Sequence, residues 1–115
     1  MMQDLVMYKR MPIWTAETMP EAVQRKHNTK VGTWGKITVL TGELKFIEMT
    51  ENGEELAEHI FKAGEGNPYA QPQAWHRVEA LTDDLEWYLE FYCLPKDYYA
   101  KKYGLTPVPV SYTHL

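Results

Sequence analysis

The feature that most constrains the fold is a series of short apolar segments, separated by turn residues, that continues to about residue 93. These segments are rich in β-branched and aromatic residues, which favour strands over helices. They read "WGKITVL" (34–40), "ELKFIEM" (43–49), "ELAEHIF" (55–61), "AWHRVEAL" (74–81) and "LEWYLEFYCL" (85–94). Roughly seven short strands around one core predict an all-β fold, a sandwich or small barrel of the jelly-roll kind.

The turns between these segments predict how the strands pair. The first turn, at Thr41-Gly42, lies between the first two segments and predicts a hairpin. The second, at Asn52-Gly53, accepts the positive φ of a type I′ turn and predicts another. A third strand pair is expected around residues 82–84, between the last two segments.

The character of the chain changes after this β region. "PKDYYAKKY" (95–103) begins with proline, carries lysines towards its end and is followed by glycine, which predicts one short helix. The last residues, 104–115, contain two prolines and are expected to form an extended tail. At this length we expect a single domain, residues 1–115, with its core in about 7–94.

Charge and composition argue against several classes of function. The 12 basic and 16 acidic residues are scattered and give a net charge of −4, so no basic surface for nucleic acid is indicated. No apolar run reaches the roughly 18 residues of a membrane span, and the first residues lack signal-peptide features, so we expect a cytoplasmic protein. The single cysteine, Cys93, excludes an intrachain disulfide and is expected to pack as a small hydrophobe.

Alternation along the strand at 74–81 places one histidine on an inward face. The inward set is small and apolar apart from that histidine: Ala74, His76, Val78 and Ala80. The other face carries Trp75, Arg77, Glu79 and Leu81. A buried imidazole is costly unless it is hydrogen-bonded or coordinated. His76 is therefore either a satisfied core histidine or a contact for a metal or substrate.

A second histidine, His27, precedes the first strand of the predicted hairpin system, where a ligand at the mouth of a barrel would lie. Glu79 is the third candidate ligand, because two histidines and a carboxylate form a set that binds iron or zinc. Residues three apart in a strand point to opposite faces, so His76 and Glu79 converge only through a bulge. The alternative is that Glu79 forms a salt bridge with Arg77 or Lys30. The remaining histidines are expected to be bystanders: His59 and His114.

Two motifs carry a resemblance to a known family. "KHNTKVGTWGK" and "QAWHRVEALTDD" resemble the two motifs of the cupin superfamily, and more closely the small cupin-like domain at the N-terminus of the tellurite-resistance protein B family, over about residues 7 to 103. The resemblance implies a double-stranded β-helix. It also implies a divalent metal ion, Zn, Fe or Ni, held by His27, His76 and an acidic residue. The first motif departs from the cupin pattern, because it holds one histidine and no carboxylate.

The same resemblance implies a binding function. We expect a small-molecule or oxyanion ligand and a role in resistance to tellurite, with Lys30 and Arg77 meeting a negative ligand at the mouth of the barrel. Two alternatives remain: a metal-free binding or dimerisation module, and a metal-dependent cupin enzyme of the dioxygenase or isomerase type. No catalytic residue is assigned. The resistance protein continues into a methyltransferase domain, and no glycine-rich cofactor loop is found here, so methyl transfer is not expected.

A homodimer is expected from the last predicted strand. Residues 85–93 are bulky on both faces, with Trp87 and Phe91 on one face and Tyr88 and Tyr92 on the other. One aromatic face lines the cavity in this interpretation, and the other packs against a second subunit.

Overall fold

A computed structural model of the chain describes residues 4–103, without the side chains of residues 100, 101 and 103. Seven strands and two helices make up this part of the chain. In order they are β1 (Val6–Arg10), β2 (Trp14–Thr15), α1 (Glu21–Gln24), β3 (Trp34–Thr41), β4 (Glu43–Met49), β5 (Glu55–Lys62), β6 (Trp75–Ala80), β7 (Glu86–Cys93) and α2 (Pro95–Tyr103). The predicted helix at 95–103 is confirmed, whereas the predicted tail and His114 lie outside the described residues.

The strands form two antiparallel sheets. In the first sheet, β3 pairs along one edge of β7, and β1 and β2 share the other edge. The second sheet has the order β5-β4-β6. Apolar side chains of both sheets meet in one core, where Leu44 and Val78 of the second sheet join Val39 and Trp87 of the first. The all-β class is confirmed, and in the part of the chain that is described the two sheets remain separate and do not close into a barrel.

The predicted hairpin around Asn52-Gly53 is confirmed. Strands β4 and β5 pair in register from Glu43 opposite Lys62 to Met49 opposite Glu55. Gly53 has φ +92°, the left-handed conformation that glycine adopts without steric penalty.

The other two predicted strand pairs are wrong. Strand β3 pairs with β7, and β4 pairs with β5 and β6, so the turn at Thr41-Gly42 carries the chain from one sheet to the other. Residues 82–84 do the same between β6 and β7. The two turns pack together at one corner, where the Glu43 N–H donates to Thr82 Oγ1 at 3.0 Å. A side chain at Gly42, with φ +75°, would place its Cβ 2.3 Å from the same oxygen.

Strand β7 shows how the two faces of the first sheet differ. Its inner face contributes Trp87 to the core. On its outer face Glu90 is buried beneath Arg10, whose Nε and Nη2 donate to Glu90 Oε2 at 2.9 and 2.6 Å. The Arg10 guanidinium also lies 5.0 Å from the centroid of the Tyr88 ring. This chain therefore covers part of its own outer aromatic face, and the homodimer stays a prediction.

No helix among residues 4–103 is both long enough and apolar enough to cross a membrane. The longer of the two helices, α2, has 9 residues, far fewer than the roughly 20 that a bilayer requires.

A candidate two-histidine site

The structure brings His27 and His76 together. Their backbones exchange two hydrogen bonds, from each N–H to the carbonyl of the other residue, both at 2.9 Å. Their imidazole rings lie edge to face, with centroids 4.4 Å apart and planes at 86°. The two histidines that the sequence analysis assigned to one site are therefore neighbours in the structure, and their role as ligands stays a prediction.

The local structure around His27 fixes which of its nitrogens carries the proton. The short helix α1 packs near β6, and the chain that follows it returns to β6 at an isolated bridge between His27 and His76. His27 Nδ1 lies 2.8 Å from the carbonyl oxygen of Arg25. A carbonyl only accepts hydrogen bonds, so Nδ1 donates and Nε2 of the neutral ring holds the free lone pair.

His76 is the more deeply buried of the two histidines. His76 is 5% exposed, and the centroid of its imidazole ring lies 5.0 Å from the centroid of the Phe46 ring. Within the described part of the chain, its buried Nδ1 makes no well-formed hydrogen bond, and the Ala74 backbone contributes only a weak one to the imidazole. Buried polar atoms are nearly always hydrogen-bonded in proteins, so this nitrogen marks a place where a ligand, a metal ion or a water molecule belongs.

Burial keeps both imidazoles neutral at neutral pH. Burial, followed by repulsion from His27, lowers the pKa of His76 to about 4, against a smaller opposing effect of the Ala74 backbone. Burial also lowers the pKa of His27, and the hydrogen bond with the Arg25 carbonyl opposes that change. The pair therefore supplies lone pairs and N–H donors to a bound molecule, and no positive charge.

A cavity of about 120 Å³ opens beside the pair, between the two sheets. His27 and His76 both line it. Most of its remaining wall is apolar, including Ile37, Phe46, Val78, Trp87, Leu89 and Phe91. The space suits a small ligand whose polar atoms contact the imidazoles and whose other atoms contact hydrocarbon.

Glu79 does not join this site. It lies on the outer face of β6, where it accepts a hydrogen bond from Arg77 Nη1. Strands β4 and β6 pair in continuous register from Leu44 opposite Ala80 to Met49 opposite Trp75, without the bulge that would turn Glu79 inward. The alternative that the sequence left open, a salt bridge between Glu79 and Arg77, is the arrangement found. Glu79 therefore does not reach His27 and His76 as a third metal ligand.

The two basic candidates also lie away from the cavity. Arg77 is held on the outer face by Glu79 and by Glu55, whose Oε2 lies 2.8 Å from Arg77 Nη2. Lys30 is exposed, and neither residue lines the cavity. In this geometry neither Lys30 nor Arg77 is placed to contact a negative ligand inside the cavity.

The donor set does not fit a three-ligand metal centre. Among residues 4–103 no group of three or more His, Cys, Asp or Glu side chains is arranged to hold a metal ion. Among the described His, Cys, Asp and Glu side chains, this site therefore offers a metal ion the two imidazoles. His59, expected to be a bystander, is exposed on β5 and bonds to Glu48.

Sequence reasoning missed Phe46 as part of the site. Phe46 packs on His76 and lines the cavity, although its own strand carries no other sign of function. The alternation of β4 contained the signal, because Phe46 shares the inward face with Leu44. The loop before β6, residues 68–74, also contributes to the site, because its Ala70 bridges to Gly35 and lines the cavity.

Comparison with known proteins gives the family. The model of the TehB-like domain family matches residues 9–89. A relative from Haemophilus influenzae, named "Probable S-adenosyl-L-methionine-dependent methyltransferase TehB", is 58% identical over 108 residues, which are 94% of this chain and 38% of the relative. This chain thus spans well under half the length of that relative.

Solved structures agree with this similarity. The crystal structure of TehB from Haemophilus influenzae superposes with a TM-score of 0.86 at 56% identity, over 96% of this chain and 38% of that one. A crystal structure of an Escherichia coli (strain K12) protein superposes with a TM-score of 0.75 at 24% identity, over 83% of this chain and 96% of that one, and supports the fold alone. The chain therefore belongs to the family of TehB-like domains.

Proposed function

We propose that this chain is a small-ligand-binding domain whose site is the cavity at His27 and His76, and that it acts in resistance to tellurite or another toxic oxyanion. The observation that carries the binding proposal is the buried Nδ1 of His76, which makes no well-formed hydrogen bond in the described structure and belongs to a residue that lines a cavity. The resistance role is supported by membership of the TehB-like family and by the resemblance of the two sequence motifs.

The ligand that suits this cavity is uncharged. Both imidazoles are neutral near pH 7, and neither Lys nor Arg is found among the lining residues that the structure describes. An oxyanion would lose its hydration there without gaining a counter-charge, which is unfavourable by several kcal/mol or more. The resistance role in this proposal works through an uncharged molecule, and not through capture of the anion inside the cavity.

A divalent metal ion, Zn, Fe or Ni, is a second candidate ligand. The hydrogen bond between His27 Nδ1 and the Arg25 carbonyl favours it, because metal-binding histidines are commonly oriented by a carbonyl that accepts from the other ring nitrogen. His27 and His76 would hold the ion, which would act there as a Lewis acid. With two protein ligands and no carboxylate, its affinity is expected to be far below that of a four-ligand zinc site.

We also infer that the two-sheet sandwich is a cupin-like β-helix. The support is topological: the chain crosses between the sheets at two turns that pack on each other, and it does not run as a series of hairpins. The homodimer and the cytoplasmic location remain predictions, of which the first is checked by analytical ultracentrifugation.

The binding proposal is tested with two probes of one shape, acetamide and acetate, added to tag-free protein with ¹⁵N-labelled imidazoles. We expect saturable shifts of the His27 and His76 signals with acetamide and none with acetate. His76→Gln removes the response, and His59→Gln, on the exposed strand β5, retains it. Equal responses to acetate, or shifts confined to His59, would contradict the proposal.

The metal and resistance parts are tested separately. If a metal ion binds at this site, added Zn²⁺, Ni²⁺ or Fe²⁺ raises the temperature of thermal unfolding of the wild type. His27→Gln and His76→Gln abolish that increase. Growth of a tellurite-sensitive bacterium expressing each variant checks the resistance role. We expect the wild type and His59→Gln to protect the cells against tellurite and His76→Gln to give no protection. Protection by His76→Gln would show that resistance does not depend on the cavity.

A further inference from the structure

A second, larger concavity lies on the other side of His76. It has a volume of about 450 Å³ and runs between β4, β5 and the 68–74 loop. We call it the outer groove; its walls include Phe46, Glu48, Leu56, Phe61, Tyr69 and Trp75. The outer groove and the cavity at the two histidines share three residues, Phe46, Ala70 and His76. The outer groove thus adjoins the proposed site and shares a wall with it, while most of its lining residues are its own.

Aromatic rings dominate the walls of the outer groove. Phe46 and Phe61 stack nearly parallel, at 15° with centroids 5.3 Å apart. Tyr69 and Trp75 add two further rings, and Met49 and Leu56 complete an apolar lining. Such walls bind the hydrocarbon part of a small molecule, and the faces of the rings attract cations.

The charges in the outer groove are negative. Glu48 and Glu51 line it, whereas no Lys or Arg does so among the residues that the structure describes. Glu48 also bonds to His59 on the same side. An anion entering this space would meet two carboxylates and an apolar wall, and the basic residue in the described lining, His59, is already bonded to Glu48.

A cation of the chain itself already lies against this wall. Lys26 Nζ is 4.9 Å from the centroid of the Trp75 ring and donates to the Glu51 carbonyl. The ring and carbonyl at this end of the outer groove thus attract positive charge. Lys26 is not one of the lining residues. Glu48 Oε2 bonds to His59, and Lys36 Nζ lies 5.6 Å from the centroid of the Tyr69 ring, so a ligand meets Glu48 through Oε1 and shares the ring faces with cations of the chain itself.

From these walls and charges we propose that the outer groove binds a small apolar organic cation, such as a quaternary ammonium group on an aromatic body. The ring faces take the hydrophobic part and part of the positive charge, and Glu48 supplies the complementary charge at the rim. This inference is independent of the site proposed at His27 and His76.

The experiment uses three probes of similar shape: benzyltrimethylammonium, the neutral hydrocarbon neopentylbenzene, and the anion p-toluenesulfonate. Binding to the full chain is followed by NMR, through shifts of the Trp75 indole and of methyl groups in Met49 and Leu56. We expect saturable binding of the cation, roughly two- to fivefold weaker binding of the neutral probe, and none of the anion. Comparable binding of the anion, or equal binding of cation and neutral probe, overturns the charge assignment.

Matched variants locate the effect. Glu48→Gln lowers the affinity for the cation roughly two- to fivefold and leaves the neutral probe unchanged. Glu58→Gln, on β5 but outside the lining, changes neither; an equal loss in both variants would refute the role of Glu48. His27→Gln, which alters only the inner cavity, leaves cation binding intact, so failure of the proposed histidine site and failure of this inference are distinguished. Cation-induced shifts confined to residues outside the outer groove would also overturn the proposal.

Discussion

The two faces of β6 hold polar groups under opposite conditions. On the inner face His76 is 5% exposed and its Nδ1 makes no well-formed hydrogen bond in the described structure. On the outer face the next residue, Arg77, binds two carboxylates, those of Glu55 and Glu79. Adjacent residues of one strand thus differ completely in how their hydrogen-bonding capacity is satisfied.

This difference separates a candidate site from ordinary surface structure. An unpartnered buried polar group costs roughly 1–3 kcal/mol of stability, whereas an exposed ion pair contributes about 0–1 kcal/mol. Val78, two positions along the same face, is buried in the core. The inner face therefore combines hydrophobic packing with a costly polar group, and the outer face provides polar surface and modest electrostatic stabilisation.

The largest expected effect is a loss of stability in acid through His76. Its pKa is about 4 in the folded protein and about 6.5 in the unfolded chain, so the unfolded state binds more protons between these values. Stability therefore falls as the pH drops from 6.5 to 4, by on the order of 3 kcal/mol. The lowered pKa of His27 acts in the same direction. Urea unfolding at pH 7 and at pH 4.5 measures the change.

The control for the acid effect removes the titrating group. We expect His76→Gln to flatten this part of the pH profile, and His59→Gln, on the exposed strand, to keep it. Parallel profiles for the wild type and His76→Gln would show that the inner face does not hold a suppressed imidazole.

Truncating one side chain on each face of β6 compares how much the two faces contribute to stability. Val78 is 2% exposed, so Val78→Ala removes buried hydrocarbon and is expected to destabilise the fold by about 2 kcal/mol. Glu79→Ala, one position further along, is expected to cost less than about 1 kcal/mol. The free energies of unfolding at pH 7 check both values. Equal losses would mean that the outer face of β6 carries part of the core.

A further small effect is expected from the outer ion pairs, where the salt dependence is informative. Arg77→Met keeps much of the hydrocarbon stem and removes the charge that Glu55 and Glu79 share. We expect a loss of about 1 kcal/mol at low salt, which shrinks in 1 M NaCl because screening acts over roughly 3 Å there. Thermal unfolding at the two salt concentrations measures it. A loss that is independent of salt would indicate that Arg77 acts through packing.

Much of this comparison was predictable from the sequence, because alternation is local. The period of two along 74–81 assigned His76 and Val78 to one face and Arg77 and Glu79 to the other, and the structure confirms this. The same alternation predicts that the side chains of His76 and Glu79 point to opposite faces unless a bulge interrupts the strand. The resemblance nevertheless made Glu79 a candidate ligand, and the unbroken register with β4 removes it.

Strand pairing was less predictable. Thr41-Gly42 has the residue types of a hairpin turn, yet it connects strands of different sheets, and residues 82–84 do the same. A tight turn reverses the chain in either case, and its own residues do not reveal whether the next strand pairs with its neighbour. Strand pairing depends instead on which apolar faces are buried together, and in this arrangement the two turns pack on each other and bring Glu43 to Thr82.

By itself, the sequence determined the all-β class, the helix at 95–103, the hairpin at Asn52-Gly53 and the inward direction of His76, since each follows from periodicity or turn chemistry within a few residues. Only the tertiary structure decided how the sheets are ordered, that His27 reaches His76, and that Glu79 lies on the opposite face from them. The physical reason is that contacts between distant segments form where apolar faces are buried against each other, and that choice depends on the whole core.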